Sequence, residues 1–153
     1  MEAKTTRLSV ELSAYPDLVV IYLGMRAASW RGVPTLLRTG RQLGAMLRTK
    51  PEGLLGHENM LFSPRHLAFR QYWRDFDSME HFTKAEPHRT WWTNFLRDPA
   101  GTGFWHETYS TGRGMEAIYI NMPKIGFAAF APPRSPQGPF MSARGRLAAV
   151  DGG

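Results

Sequence analysis

The sequence predicts an α+β domain of ferredoxin-like plan, βαββαβ, with its helices on one face of a single sheet. Three observations predict it. Extended runs rich in β-branched and aromatic residues alternate with segments of helical period in the order strand, helix, strand, strand, helix, strand, with a last strand to follow. The 153 residues suffice for one core, burying roughly two thirds of the unfolded surface. No internal repeat or second core interrupts that order. The chain therefore divides into an N-terminal extension (1–16), one domain (17–130) and a Pro-, Gly- and Arg-rich C-terminal tail (131–153).

The first strand is LVVIYLGM, Leu18 to Met25, a continuous apolar run of the kind buried on both faces. Pro34 suits a first helical turn, where its missing N–H has no intrahelical partner to lose. Leu36, Leu37, Gly40, Leu43, Gly44 and Leu47 recur at helical spacing, with Arg38, Arg41 and Arg48 on the wet side. Each glycine costs that helix about 1 kcal/mol against alanine, which makes sense where backbone lies close against a sheet or a ligand. Pro51 and Gly53 stop it.

Leu54 to Phe62 and HLAFRQYW, His66 to Trp73, form a hairpin across Ser63 and Pro64. Asp77 and Glu80 have capping-box spacing and open a second helix. Pro87 breaks it, and Trp91, Trp92, Phe95 and Leu96 carry the helical pattern on to Asp98-Pro99. GFWHETY, Gly103 to Tyr109, and AIYINM, Ala117 to Met122, complete the sheet across Gly112-Arg113-Gly114. After Ala131, four prolines precede Arg144 and Arg146 with little periodicity, the mark of a flexible tail or of an arm that orders on a partner.

Composition removes several classes of function. Without cysteine there is no disulfide framework, thiolate metal site or thiol nucleophile, and the chain suits a reducing compartment, so cytoplasmic localisation is expected. Glu2, Lys4, Arg7 and Glu11 interrupt any signal-type segment. The longest apolar run, Leu18 to Leu23, is far short of the roughly 20 residues of a membrane helix. A net charge of +6, from 19 basic and 13 acidic residues, invites a nucleic-acid reading. The basic residues are nevertheless spread over helices, turns and tail, and HLAFRQYW lacks the glycines of an RNA-recognition third strand, so no nucleic-acid partner is expected. The five histidines, His57, His66, His81, His88 and His106, show no HxxxH or HExxH spacing, so no metal is expected.

Helices on one face leave the other bare. A doubly apolar first strand, with aromatics on both sides of the third, asks for a cover, and a second copy in a closed homodimer is the economical one. Period-two geometry puts Phe104, His106 and Thr108 on one face of their strand and Trp105, Glu107 and Tyr109 on the other. Arg70 and Tyr72 share a face of the third strand, as Tyr119 and Asn121 do on the last.

The stretch RQYWRDFDSMEHFTKAEPHRTWWTNF, Arg70 to Phe95, resembles the core segment of the dimeric α/β-barrel monooxygenases, in which a Tyr-Trp strand leads through a short acidic turn into a helix. More narrowly, LVVIYLGMR (Leu18 to Arg26), QYWR (Gln71 to Arg74), GFWHETY and YINMP (Tyr119 to Pro123) together resemble the fumagillin-pathway monooxygenase-like family over roughly Asp17 to Phe130. That resemblance implies a dimeric α/β barrel and a small-molecule-modifying enzyme of secondary metabolism. It implies a monooxygenase with no flavin, metal or haem, acting on an apolar aromatic, polyketide or terpenoid substrate.

Oxygenation without a cofactor needs an acidic substrate C–H or O–H, a base to take the proton, and donors fixed on the resulting anion, which itself reduces oxygen. His106 is the candidate base, because imidazole titrates near neutrality. Arg70 and Asn121 are the candidate anion stabilisers. Tyr72, Trp73, Trp105, Glu107, Tyr109 and Tyr119 are the candidate substrate-binding residues. Trp91, Trp92 and Phe95 are explained by packing at helical spacing. Two alternatives stand beside this reading: a haem protein of the same plan, with His81 or His88 as the single axial ligand, and a non-catalytic ligand-binding or dimerisation module.

Overall fold

A computed structural model describes residues 8–125, 128, 132–135 and 137–148. Five strands, β1 (Val19–Ala27), β2 (Leu54–Ser63), β3 (His66–Trp73), β4 (Thr102–Ser110) and β5 (Gly114–Ile120), form one antiparallel sheet in the order β2-β3-β1-β4-β5. The apolar β1 takes the centre, paired along both edges. Its two faces differ, since Val19 and Ile21 are buried while Val20 and Tyr22 stay half-buried on the far side. β2, largely exposed and twice irregular in register against β3, takes one edge.

Four helices, α1 (Val33–Arg48), α2 (Phe76–Lys84), α3 (His88–Arg97) and α4 (Ala143–Ala148), complete the described fold. Packed against the sheet, they bury Leu36, Leu43 and Leu47 of α1, Phe76 and Met79 of α2, Phe95 of α3 and Leu147 of α4 against Val19, Ile21, Met25, Phe69, Trp73 and Phe104. Apolar burial of this kind contributes about 25 cal/mol per Å². Arg38, Arg41 and Arg48 face solvent. Among the described residues no helix is long and apolar enough to cross a membrane.

The two glycines of α1 differ. A Cβ on Gly40 would stand 2.5 Å from Leu67 Cδ2, so there the helix backbone does approach the sheet, whereas a Cβ on Gly44 would make only an ordinary contact, 3.5 Å from the Arg48 guanidinium. The cap of α2 is Asp75, not Asp77: the Asp75 carboxylate accepts from Ser78 N at 2.7 Å, and Asp77 falls in the first turn. β5 begins at Gly114 and ends at Ile120, and Asn121 turns away from it with φ +53°.

The Pro-rich C-terminal stretch predicts no packed element, yet its end carries one. A 3-10 turn at Gly138–Met141 leads into α4, whose Leu147 is 5% exposed among Val19, Ile21 and Trp73. One leucine and two arginines are too few to register as a period, which is why the sequence pattern passes over them.

Candidate functional site

The sheet has a hollow on each side, and strand alternation decides which residues enter which. On the helix side a pocket of about 310 Å³ has aromatic walls from Phe82, Trp91, Trp92 and Phe104, an aliphatic floor from Ile21 and Leu23, and polar groups that include Gln71, His88, His106 and Arg146. Trp91, Trp92, Phe95 and Phe104 form one ring cluster with centroids 5.2–6.3 Å apart, close enough to lock the walls through edge and offset contacts.

The polar end of this pocket is built from the inward alternates of β4 and β5. Register sets Thr108 opposite Glu116 and His106 one inward position further along. Glu116 is a carboxylate with a side chain 1% exposed. His106 Nδ1 lies 3.3 Å from its Oε1, Thr108 Oγ1 donates to the same oxygen, and Arg146 Nε donates to Oε2 at 2.5 Å. Burial works to raise the Glu116 pKa, but the His106 bond and charge, the Arg146 charge and the Thr108 hydroxyl overrule it and hold the group at about 2. A carboxylate so fixed accepts a hydrogen bond from Nδ1–H, which leaves Nε2 as the unprotonated imidazole nitrogen.

Of the other polar residues on the lining, which include Glu80, Lys84 and Arg89, two bear most directly on the site's chemistry. Gln71 Oε1 accepts from Trp73 Nε1 at 2.9 Å, so the amide N–H₂ is what Gln71 has left to offer. His88 Nδ1 stands 3.0 Å from the Thr83 carbonyl, and burial pushes its pKa down despite that bond.

The open face holds a different network. Arg70 donates to Tyr22 Oη at 3.0 Å and pairs with Glu58, its guanidinium over the rings of Tyr22 and Tyr72. Glu107, 5% exposed, accepts from Tyr109 Oη at 2.9 Å and from Tyr119 Oη. Burial and that carboxylate push the Tyr109 hydroxyl up to about 12. Trp105 lies flat on Gly24, where any Cβ would fall inside the indole, and donates to His66 Nε2 at 2.8 Å. Tyr22, Phe62, His66, Trp105, Glu107 and Tyr109 surround a shallower hollow of about 470 Å³.

The candidate residues therefore separate. Of His106, Arg70 and Asn121, His106 lines the helix-side pocket, while Arg70 lies across the sheet and cannot reach an anion formed beside His106. Asn121 is exposed beyond the end of β5, because its left-handed φ takes it out of the alternation it was expected to share with Tyr119. Tyr72, Trp105, Glu107, Tyr109 and Tyr119 belong to the open face. Trp73 points the other way, 0% exposed in the core. His88 enters the pocket, and His81 is exposed beside a separate groove between α1 and α2.

Sequence reasoning missed Glu116, Thr108, Gln71 and Arg146, and gave Trp91 and Trp92 to packing alone. Glu116 had a signal: counting back from the Gly112–Gly114 turn sets it across from Thr108. Arg146 had none, lying in a segment without period. Among the described residues no three His, Asp or Glu side chains converge as a metal set.

Comparison with known proteins adds the following. A model of the monooxygenase af470-like family matches residues 18–127. Among curated proteins none matches. Among solved structures, an aldoxime dehydratase superposes with a TM-score of 0.52 at 20% identity, over 78% of this chain and 36% of its own. The aldoxime dehydratase OxdRE, in complex with butyraldoxime, gives 0.51 at 24% identity over 64% of this chain and 28% of its own. A conserved protein of unknown function from Bacteroides thetaiotaomicron, a possible oxidoreductase, gives 0.50 at 9% identity over 62% of this chain and 98% of its own. The chain thus spans about a third of the aldoxime dehydratases it resembles, and these likenesses show the ferredoxin-like fold.

Proposed function

The chain belongs to the monooxygenase af470-like family, and from that premise we propose that the helix-side pocket is the active site of a cofactor-independent monooxygenase, with His106 as its base. The observation that carries the proposal is the line Arg146–Glu116–His106, which runs from a buried ion pair to an imidazole on the pocket wall. The substrate class it fits is a small, apolar, enolisable molecule, an aromatic polyketide before a terpenoid, because four aromatic rings form the walls.

In this reading the flat substrate lies against the Trp91, Trp92 and Phe104 cluster, with its acidic C–H or O–H toward His106. Nε2 accepts that proton, and ionised Glu116 stabilises the imidazolium that results. Gln71 takes the anion-holding role first given to Arg70 and Asn121, since its Oε1 is committed to Trp73 and its amide N–H₂ is a donor on the pocket wall. The substrate anion passes one electron to oxygen and the radical pair combines to a peroxide anion, which takes back the proton held on the His106 imidazolium; the hydroperoxide then loses water, using the second hydrogen of that carbon, and leaves a carbonyl. The apolar walls exclude solvent from these steps. A second copy over the open face completes the proposed dimer, with Arg70, Glu107 and the tyrosines at the join.

One observation favours a haem-binding reading: His88 lines the pocket with Nδ1 at the Thr83 carbonyl, so Nε2 would be the nitrogen to hold a haem iron, and burial, which pushes the His88 pKa down, favours the neutral ring that ligation would require. A haem would supply one-electron chemistry on its iron. His81, outside the pocket, does not fit that role. A volume of about 310 Å³ suits two or three fused rings better than a tetrapyrrole, so the cofactor-free reading leads.

The test is oxygen uptake by protein dialysed against chelator, offered a panel of enolisable polycyclic phenols. Uptake with one oxygen atom gained in the product is expected. No uptake and no quenching of Trp91 and Trp92 fluorescence by any member of the panel would overturn the proposal. A Soret band in fresh protein would instead select haem.

A further inference from the structure

We propose that the C-terminal arm, residues 138–148, is a working part of this pocket: α4 closes it, and Arg146 is a positioning residue that holds His106 through Glu116. The inference rests on the reading of the helix-side pocket given above, and it concerns a segment beyond residues 18–127, where the family match ends.

Four observations carry it. Met141, Ser142, Ala143 and Arg146 all line the pocket, so the arm forms one of its walls. The arm is seated at two points of α4. Leu147 enters the core, and Arg144 reaches across to α2, bonding Glu80 at 2.7 and 3.0 Å and Asp77 at 3.1 Å with its guanidinium over the Phe76 ring. The turn into α4 is tight enough that a Cβ on Gly145 would collide with the Pro139 carbonyl, so glycine is what lets the arm double back. Finally, Arg146 has no solvent role: its side chain is 10% exposed, with Nε on Glu116 Oε2 and Nη1 on the Phe140 carbonyl at 2.9 Å.

Chemistry gives the arrangement a purpose beyond packing. Glu116 has two oxygens and two tasks. Oε2 is occupied by Arg146, so Oε1 is left to meet Thr108 and His106 Nδ1. A buried carboxylate with only an imidazole beside it can rotate or take a proton; one clamped from behind by a guanidinium keeps its position and charge. The imidazole tautomer then follows from the clamp. A substrate enters or leaves past α4, which the Arg144 ion pairs with Glu80 and Asp77 hold to α2 beside the Leu147 core contact.

The experiment uses the full chain, labelled with ¹⁵N. Long-range ¹H–¹⁵N spectra report which nitrogen of His106 carries the proton. Wild type is expected to show one tautomer, protonated on Nδ1; Arg146→Gln a mixture of both; and Arg146→Lys, which restores the charge, a return toward the single tautomer. A folded Arg146→Gln protein that keeps the wild-type tautomer overturns the positioning role. Closure is read separately through 1-anilinonaphthalene-8-sulfonate seated in the pocket and excited by energy transfer from Trp91 and Trp92. Arg144→Ala, which removes a side chain that neither lines the pocket nor bonds Glu116, should release the dye about tenfold faster, as loss of a charge-assisted bond implies. An unchanged release rate overturns closure, and this arm of the experiment stands even if Arg146→Gln fails to fold. A wild-type His106 protonated on Nε2 would overturn the base assignment instead, leaving the dye result to judge the arm.

Discussion

Glu116 is the residue on which the polar end of the pocket turns. Its carboxyl pKa is depressed to about 2, so the ionised form is stabilised by folding. That contribution is fully present above about pH 4.3, where an unfolded glutamate is ionised, and is lost as pH falls toward 2. Urea unfolding of the wild type should therefore weaken between pH 5 and pH 2, and Glu116→Gln should flatten that part of the profile while lowering stability at pH 7. A variant with the wild-type acid slope would mean that other carboxylates set it. At this scale the sequence was informative where period two governs, as at His106 and Glu107, which do point to opposite faces. It was silent on which face each strand turns toward the helices, and so it grouped Arg70 with His106 across the thickness of a sheet.

Elements were legible wherever a long apolar period or a strong stop was present. β1, α1, β3 and β4 follow directly from their runs, and the break at Pro87 separates α2 from α3. Their ends were less so. Two aspartates stand at the start of α2, and spacing to Glu80 selects Asp77, but Asp75 has the extended backbone of a cap, with φ −155°, and accepts from Ser78. Asp75→Ala should therefore cost about 1 kcal/mol, and Asp77→Ala, exposed in the first turn and paired with Arg144 and Arg113, a few tenths at most. Thermal or urea unfolding of the two variants decides between them, and equal losses would contradict the assignment. α4 was invisible for the opposite reason: six residues with one buried leucine carry no period.

For the whole molecule, fold class and element order followed from the sequence because alternation and breaker residues are local signals. Long-range consequences did not, and the pocket depends on one of them, the return of the C-terminal arm to β5 and α2. The proposed dimer belongs to this scale too. Val20 sits half-buried on the open face of the central strand, between Tyr72 and Tyr109 in register, so Val20→Glu should convert a dimer into monomers in sedimentation equilibrium with little change in helix content. A wild type that sediments as a monomer at all concentrations would remove the dimer while leaving the helix-side pocket intact. The central claim, that chemistry occurs on the helix side with His106 as base, is tested most directly by the turnover of His106→Ala beside Asn121→Gly, measured as oxygen uptake on the same substrate. His106→Ala should lose at least about 100-fold, the ordinary contribution of a general base, and Asn121→Gly should keep the wild-type rate; a His106→Ala enzyme as fast as the wild type would contradict the account.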